Sequence, residues 1–294
     1  MYIFYDFETS SRELLGQILS YSFILTDAQL TPIEELSGMI KLNKTQLPEI
    51  DAILVNQLNL DTLQANGDTE HEAAEKIFKF LQRLIHQHSH CQLVGYNSNQ
   101  FDLNFLRNLL IRYGYNPYFS GKLTNIDLLH FVQYLAFQSP DRFEWTLTQN
   151  DTNRYYSFTL EDTARSLGIL QSAQTHDARD DVLLCIQLTY TLQQQFETRL
   201  SEFIPFQLPE EPGSPSMGCI YKQQSRHFVP LLDEPEKFTY RYWYLLGSMK
   251  KALLLIDLSA LDTLLKEETT PSETALLSCV RYMNANKQFL ILSH

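Results

Sequence analysis

Residues 2–9, YIFYDFET, are rich in aromatic and β-branched side chains and alternate with period two, which predicts a strand. Residues 17–27, QILSYSFILTD, predict a second strand and 38–42, GMIKL, a third. Three strands in succession with short connections imply an antiparallel meander. The period then changes. From about Glu70 to His88, the residues Ala74, Ile77, Phe78, Leu81, Leu84 and Ile85 recur at helical spacing, and Thr69 with Glu72 forms a capping box at the start. Residues 91–96, CQLVGY, read as a buried strand. A polar loop, NSNQ, leads into a helix that ends at Gly114 and turns Phe105, Leu106, Leu109 and Leu110 inward. Asn125–Leu128 predicts a short strand running into a helix through Phe137. Residues 138–158 are polar and irregular, Phe158–Leu167 is a short helix stopped by Gly168, and a long helix covers about Asp177–Glu197.

Strands followed by alternating helices and strands describe an α/β domain, a mixed sheet with helices packed on it. The pattern breaks at 201–216, where Pro205, Pro209, Pro212 and Pro215 forbid a continuing helix. Beyond this linker the segments Gly218–Tyr221, Phe228–Leu232, Tyr240–Leu246, Leu253–Leu258 and Val280–Met283 are strand-like. The expected organisation is therefore a first domain over 1–200, a proline-rich linker over 201–216 and a small β-rich domain over 217–294. A chain of 294 residues with 44% hydrophobic content can bury the core that this requires. Cys91, Cys185, Cys219 and Cys279 are scattered, with no CxxC pair and no zinc-site spacing, and read as reduced thiols, Cys91 and Cys185 buried. No apolar run is long enough to cross a bilayer, and the first residues lack the basic and apolar regions of a secretory leader, so a cytoplasmic protein is expected.

Charge excludes one simple reading. The net charge is −12. Residues 1–200 carry 14 Lys and Arg against 24 Asp and Glu, or −10, and residues 201–294 carry 9 against 11, or −2. A general polyanion binder needs the opposite sign. An enzyme that gathers carboxylates around metal ions tolerates it.

Asp6 and Glu8 stand two apart on the first strand and leave the same face of the sheet, with Phe4, while Ile3, Tyr5 and Phe7 take the other. Two acids on an otherwise apolar strand are costly without a neutralising partner, and a pair of divalent cations would serve. The pair alone equally describes a solvated strand end. His176 sits at the mouth of the last long helix and Asp181 in its first turns, beside an apolar face made by Ala178, Val182, Cys185 and Ile186. First-turn acids also favour the helix dipole, and Asp177 and Asp180 do that. Asp102 opens a helix after the loop Tyr96-Asn97-Ser98-Asn99-Gln100-Phe101, where Asn97 and Asn99 read first as turn residues.

Taken together, in order, FYDFET (4–9), GYNSNQFD (95–102), NPY (116–118) and THDARDDV (175–182) resemble the DEDDh 3′→5′ exonuclease superfamily and, within it, the bacterial exonuclease I family. Weaker likeness runs through SFTLEDTARSLGI (157–169) and an extended stretch around Leu47–Leu63. The resemblance covers roughly residues 1–200 and implies a ribonuclease H-like sheet. Past the linker, MGCIYKQQSRHFVPLL (217–232) and LLLIDLSAL (253–261) resemble the SH3-like domain of the same family. That family's further helical domain has no counterpart here, and Thr159 stands where the family pattern implies arginine.

By this resemblance Asp6, Glu8, Asp102 and Asp181 hold two Mg²⁺ or Mn²⁺ ions and His176 is the general base, a role suited to an imidazole that titrates near neutrality. Thr9 and Phe7, next to the acids, with Asn97 and Phe101, are the candidate contacts to the terminal nucleotide, although Phe7 fits a core position as well. Tyr96, Tyr155, Tyr156 and Phe158 are further candidates for stacking on bases, and Lys222, Lys250 and Lys251 for phosphate. The expected partner is single-stranded nucleic acid, DNA ahead of RNA, with no membrane, and the second domain is a candidate surface for a protein partner. An exoribonuclease of the same superfamily and a non-catalytic nucleic-acid-binding module remain the alternatives.

Overall fold

The first strand, β1 (Tyr2–Thr9), is buried along both faces except at Asp6, because it lies in the middle of its sheet. β2 (Ile18–Thr26) pairs with it antiparallel, and β3 (Pro32–Met39) pairs antiparallel with β2. The computed structural model describes residues 1–56, 58–88, 90–138, 142, 147–149, 154–170, 177–203, 215–219, 227–228, 241–249, 252–267, 270–284 and 290–292. The chain divides into two units. One comprises Met1–Glu144 and Leu160–Leu200, the other Trp145–Thr159 and Ser201–His294.

In the first unit, two short helices, α1 (Ile50–Asn56) and α2 (Leu60–Asn66), follow the meander. α3 (Glu70–Gln87) starts at the expected capping box: Thr69 Oγ1 accepts from Glu72 N at 3.3 Å, and Glu72 returns a carboxylate to Thr69 N at 2.8 Å. β4 (Cys91–Gly95) adds to β1 in parallel, α4 (Asp102–Arg112) crosses over, and β5 (Leu123–Asp127) adds to β4 in parallel. α5 (Leu128–Gln138), α6 (Leu160–Ser166) and α7 (Ala178–Phe196) complete the unit. The strand order is β3-β2-β1-β4-β5, a mixed sheet with helices packed on it, as the pattern predicted.

The alternation of β1 separates two environments. Ile3, Tyr5 and Phe7 join one core with Ala74, Ile77, Leu81 and Leu84 of α3 and Phe105, Leu106 and Leu109 of α4. Truncating a fully buried leucine such as Leu81 to alanine costs about 2–5 kcal/mol by the lost transfer energy and the cavity left behind. α7 packs against β1 and β2. Its buried Ala178, Val182, Cys185, Leu188 and Leu192 cover the face that Phe4, Asp6 and Glu8 share. Asp177 caps α7 by accepting from Arg179 N at 3.0 Å and Asp180 N at 3.2 Å. Gly168 ends the preceding helical segment at φ +69°, a left-handed conformation that favours glycine.

Several elements differ from the sequence expectation. The third strand runs over Pro32–Met39 and not 38–42; it is an edge strand whose exposed positions dilute the alternation. The stretch around Leu47–Leu63, for which no element was expected, carries α1 and α2. α1 buries none of its residues and α2 only Leu63, and at seven residues each they are too short for a helical period to stand out. Residues 138–158 include two short strands, β6 (Leu147–Gln149) and β7 (Arg154–Ser157).

The second unit holds those two strands with β9 (His227–Phe228), and a separate five-stranded sheet. The latter has the order β12-β11-β10-β8-β13, from β8 (Pro215–Cys219), β10 (Arg241–Met249), β11 (Ala252–Asp257), β12 (Val280–Asn284) and β13 (Leu290–Leu292). The expected β-rich character holds, but β11 is followed by α8 (Leu258–Glu267) and α9 (Glu273–Ser278), which the strand-like reading did not anticipate. β8 begins at Pro215, inside the stretch read as linker, of which 204–214 lie outside the described residues. Cys91, Cys185 and Cys279 are free and buried. Among the described residues no helix is long and apolar enough to cross a membrane.

Candidate active site

β1 places Asp6 and Glu8 on one face, and α7 brings Asp181 over them from its first turn. One carboxylate oxygen from each of Asp6, Glu8 and Asp181 lies within 4.8 Å of the others. Glu8 is 8% exposed, Asp181 5% and Asp102 3%; Asp6 is half-buried. Asp102 opens α4 at the carboxyl end of β4 and acts on the same group: after burial, its charge is the largest influence raising the Asp6 carboxyl well above the usual carboxylate range, followed by Asp181, Glu8 and Asp177. Burial, then Asp181, Asp102 and Asp177, push Glu8 up to about 9.

The cause is elementary. Like charges gathered in a poorly hydrated place resist ionising together, so the cluster holds either protons or a cation. Ser20, opposite Glu8 across the β1–β2 register, has its hydroxyl oxygen buried with no hydrogen-bond partner among the described residues. A compact set of carboxylate oxygens suits a hard divalent cation, which takes oxygen ligands. The residues present therefore fit a divalent metal.

The remaining candidates have different settings. His176 lies outside the described residues, as do Lys222, Lys250 and Lys251, and the side chains of Tyr155 and Tyr156 are not described either. Phe7 points away from the carboxylates into the core, its ring 5.5 Å from Tyr5 and 5.6 Å from Phe23, the core setting that its position also fitted. Thr9 follows a β-bulge and is 5% exposed; its hydroxyl donates to the Ser11 carbonyl at 2.7 Å. Phe101 packs at the edge of the same core, 4.8 Å from Phe105. Asn97 is left-handed, φ +57°, which confirms its reading as a turn residue. Tyr96 meets Thr163 of α6 through their hydroxyls at 2.9 Å. Phe158 is fully buried in protein.

A second polar group beneath the site escaped the sequence reading. Tyr5, Asn125 and Asp127 are buried or half-buried and hydrogen-bonded to one another or to the 97–99 loop. The available signal was the polar pair Asn125 and Asp127, two apart on one face of a short strand.

A β3-β2-β1-β4-β5 mixed sheet with carboxylates delivered by β1, α4 and α7 is the architecture of a ribonuclease H-like fold. Within that class the similarity is to exodeoxyribonuclease I. The chain is 28% identical over 192 residues to the Escherichia coli K12 enzyme, covering 64% of this chain and 38% of that one. It is 25% identical over 207 residues to the enzyme from Buchnera aphidicola of Acyrthosiphon pisum, covering 69% and 48%. The matched region thus spans less than half the length of these relatives. No family model matches the chain. The fold is that of E. coli exonuclease I bound to a dT13 oligonucleotide, with a TM-score of 0.71 at 20% identity over 100% of this chain and 65% of the other. Exonuclease I of Methylocaldum szegediense gives 0.69 at 18% identity over 99% and 64%.

Proposed function

We propose that this chain is a divalent-metal-dependent 3′→5′ exonuclease that degrades single-stranded DNA to nucleoside 5′-monophosphates. The observation that carries the reading is the convergence of Asp6, Glu8 and Asp181 within 4.8 Å, with Asp102 acting on the same charges, in a fold shared with exonuclease I. Asp6, Glu8, Asp102 and Asp181 would hold two Mg²⁺ or Mn²⁺ ions. Such ions, when bound, stabilise the attacking and departing oxygens of an in-line phosphoryl displacement.

The chain's own residues supply the rest. Burial under α7 keeps the carboxylates poorly hydrated, which strengthens their attraction for cations. His176, five residues before Asp181, accepts the proton of the attacking water as general base. Thr9, Asn97 and Phe101 border the same acids along the chain and are assigned to the terminal nucleotide through their backbone and loop positions.

The rim favours an unpaired strand. Leu15 is 82% exposed, Leu47 91% and Ile50 77%, and the backbone bearing them is stitched together next to Thr9. Glu49 N donates to Ser10 O at 2.8 Å, Gln46 Nε2 to Leu15 O at 3.3 Å and Asn108 Nδ2 to Leu14 O at 3.2 Å. Exposed apolar side chains on this backbone offer contact surface to unpaired bases.

Residues 217–294, after the exonuclease domain of 1–200 and the linker of 201–216, are read as an SH3-like domain, consistent with its five-stranded sheet. A solved exonuclease I structure is a complex with SSB-Ct, which supports a protein partner for a chain of this kind. End-labelled DNA and RNA oligonucleotides incubated with Mg²⁺ test the reading. Shortening of DNA from its 3′ end, with release of 5′-monophosphates, is expected. Digestion of RNA alone would reject the substrate, and an unchanged rate in Asp6→Ala would reject the site.

A further inference from the structure

Asp127 is a carboxylate the proposed chemistry does not use. It is 2% exposed, yet it is not one of the three acids whose oxygens converge. Its own oxygens are committed to the backbone. Oδ2 accepts from Asn99 N at 3.0 Å and Oδ1 from Leu129 N at 3.1 Å, and the backbone of Asn97 bonds to it as well.

Asn125, on the same face of β5, works on the same loop. Its Nδ2 donates to Ser98 Oγ at 3.1 Å and Asn99 Oδ1 at 2.9 Å, while its Oδ1 accepts from Tyr5 Oη at 3.0 Å. Tyr5 is the residue next to Asp6. Gly95 makes the approach feasible: a Cβ there would lie 2.7 Å from the Ser98 Cβ and 3.1 Å from the Tyr5 ring. A loop with left-handed Asn97 is thus folded down on the sheet and pinned from beneath at three consecutive residues.

The same loop fixes the start of α4. Leu103 N donates to Ser98 O at 2.9 Å, Phe101 N to Ser98 O at 3.3 Å and Asn104 Nδ2 to Asn99 O at 3.1 Å. Asp102 sits between these contacts. We propose that Asp127, assisted by Asn125, is a positioning residue for the metal site: it anchors residues 97–99 and thereby sets where Asp102 stands relative to Asp6, Glu8 and Asp181. The alternative is a cap for α5, through Leu129 N, with no effect beyond stability. Supporting groups that orient the ligands of a metal typically change its affinity or the activity by about ten- to a hundredfold when replaced.

This inference rests on the divalent-ion reading of the site, and the test separates the two. Calorimetric titration of the full chain with Mn²⁺ alone compares wild type, Asp127→Asn, Asp102→Ala and the double variant. Asp127→Asn is expected to weaken Mn²⁺ binding by about tenfold or more. In the Asp102→Ala background the same change is expected to do nothing further, because its effect passes through Asp102. Unchanged affinity in Asp127→Asn, or an equal loss in both backgrounds, overturns the inference while leaving the ion reading intact. A wild-type chain that does not bind Mn²⁺ overturns both. Should Asp127→Asn not fold, Asn125→Ala, which leaves the contact to Leu129 in place, is expected to weaken binding in the same direction, and unchanged affinity there is equally fatal.

Discussion

A carboxylate cluster that serves cations is a burden on the chain without them. Asp6 and Glu8 are raised first by burial and then by neighbouring acids, so neutralising one of them relieves repulsion. Asp6→Asn is expected to stabilise the metal-free protein by about 0.5–2 kcal/mol, the usual yield of a stabilising substitution, while the proposed exonuclease activity is lost. Chemical denaturation without metal checks the first part, and a destabilised variant would contradict it. The pH dependence follows from the same groups. Glu8 lies near 9 in the fold against an ordinary 4.5, so between those values the folded chain keeps a proton that the unfolded chain releases. Stability of the metal-free protein therefore falls as pH rises through that window. The melting temperature is expected to drop between about pH 5.5 and about pH 8.5, and Mg²⁺ to raise it more at the higher value. Spacing placed Asp6 and Glu8 on one strand face and Asp181 beside the apolar face of its helix, because strand and helix periods fix which way side chains leave; it took the resemblance of the ordered set to join them into one site. Asp127 could not be read in this way, since its importance comes from a loop that returns to it across the sheet.

Two helices with side-chain caps make a controlled comparison at the next scale. Thr69→Ala at α3 and Asp177→Ala at α7 each remove an N-cap and are expected to cost about 1 kcal/mol of stability. Asp177 also lies within the field of Glu8 and starts the helix that carries Asp181. Only its loss should weaken Mn²⁺ binding, and an equal weakening in both variants would show that the cap has no bearing on the site. α3 was legible in the sequence because its cap, its apolar face and its core agree. β3 was not, because Glu34, Glu35 and Ser37 of this edge strand face water or ion-pair partners such as Arg179, which hides its period. α1 and α2, seven residues each, are too short for a period to be read. Elements that pack announce themselves, and those lying on the surface do not.

At the scale of the whole chain, the second unit takes residues from both sides of α6 and α7. β7 pairs with β9 through Tyr156↔Phe228 and Ser157↔His227, so removing everything after Phe203 leaves β7 with an open edge. Such a fragment is expected to self-associate in gel filtration at concentrations where the full chain does not, since unpaired strand edges recruit other strands. A monomeric fragment would count against that. The pairing also sets a clock. Between Ser157 and its partner His227 a ribosome must add 70 residues, which takes roughly 4–14 s at about 5–20 residues per second. During that interval the nascent chain carries a β6–β7 hairpin with one edge unpaired, while the carboxylate-bearing sheet, whose five strands end at Asp127, has already emerged. The five-stranded sheet of the first unit is thus made early and the hairpin that follows it waits, a delay during synthesis that the finished fold no longer displays.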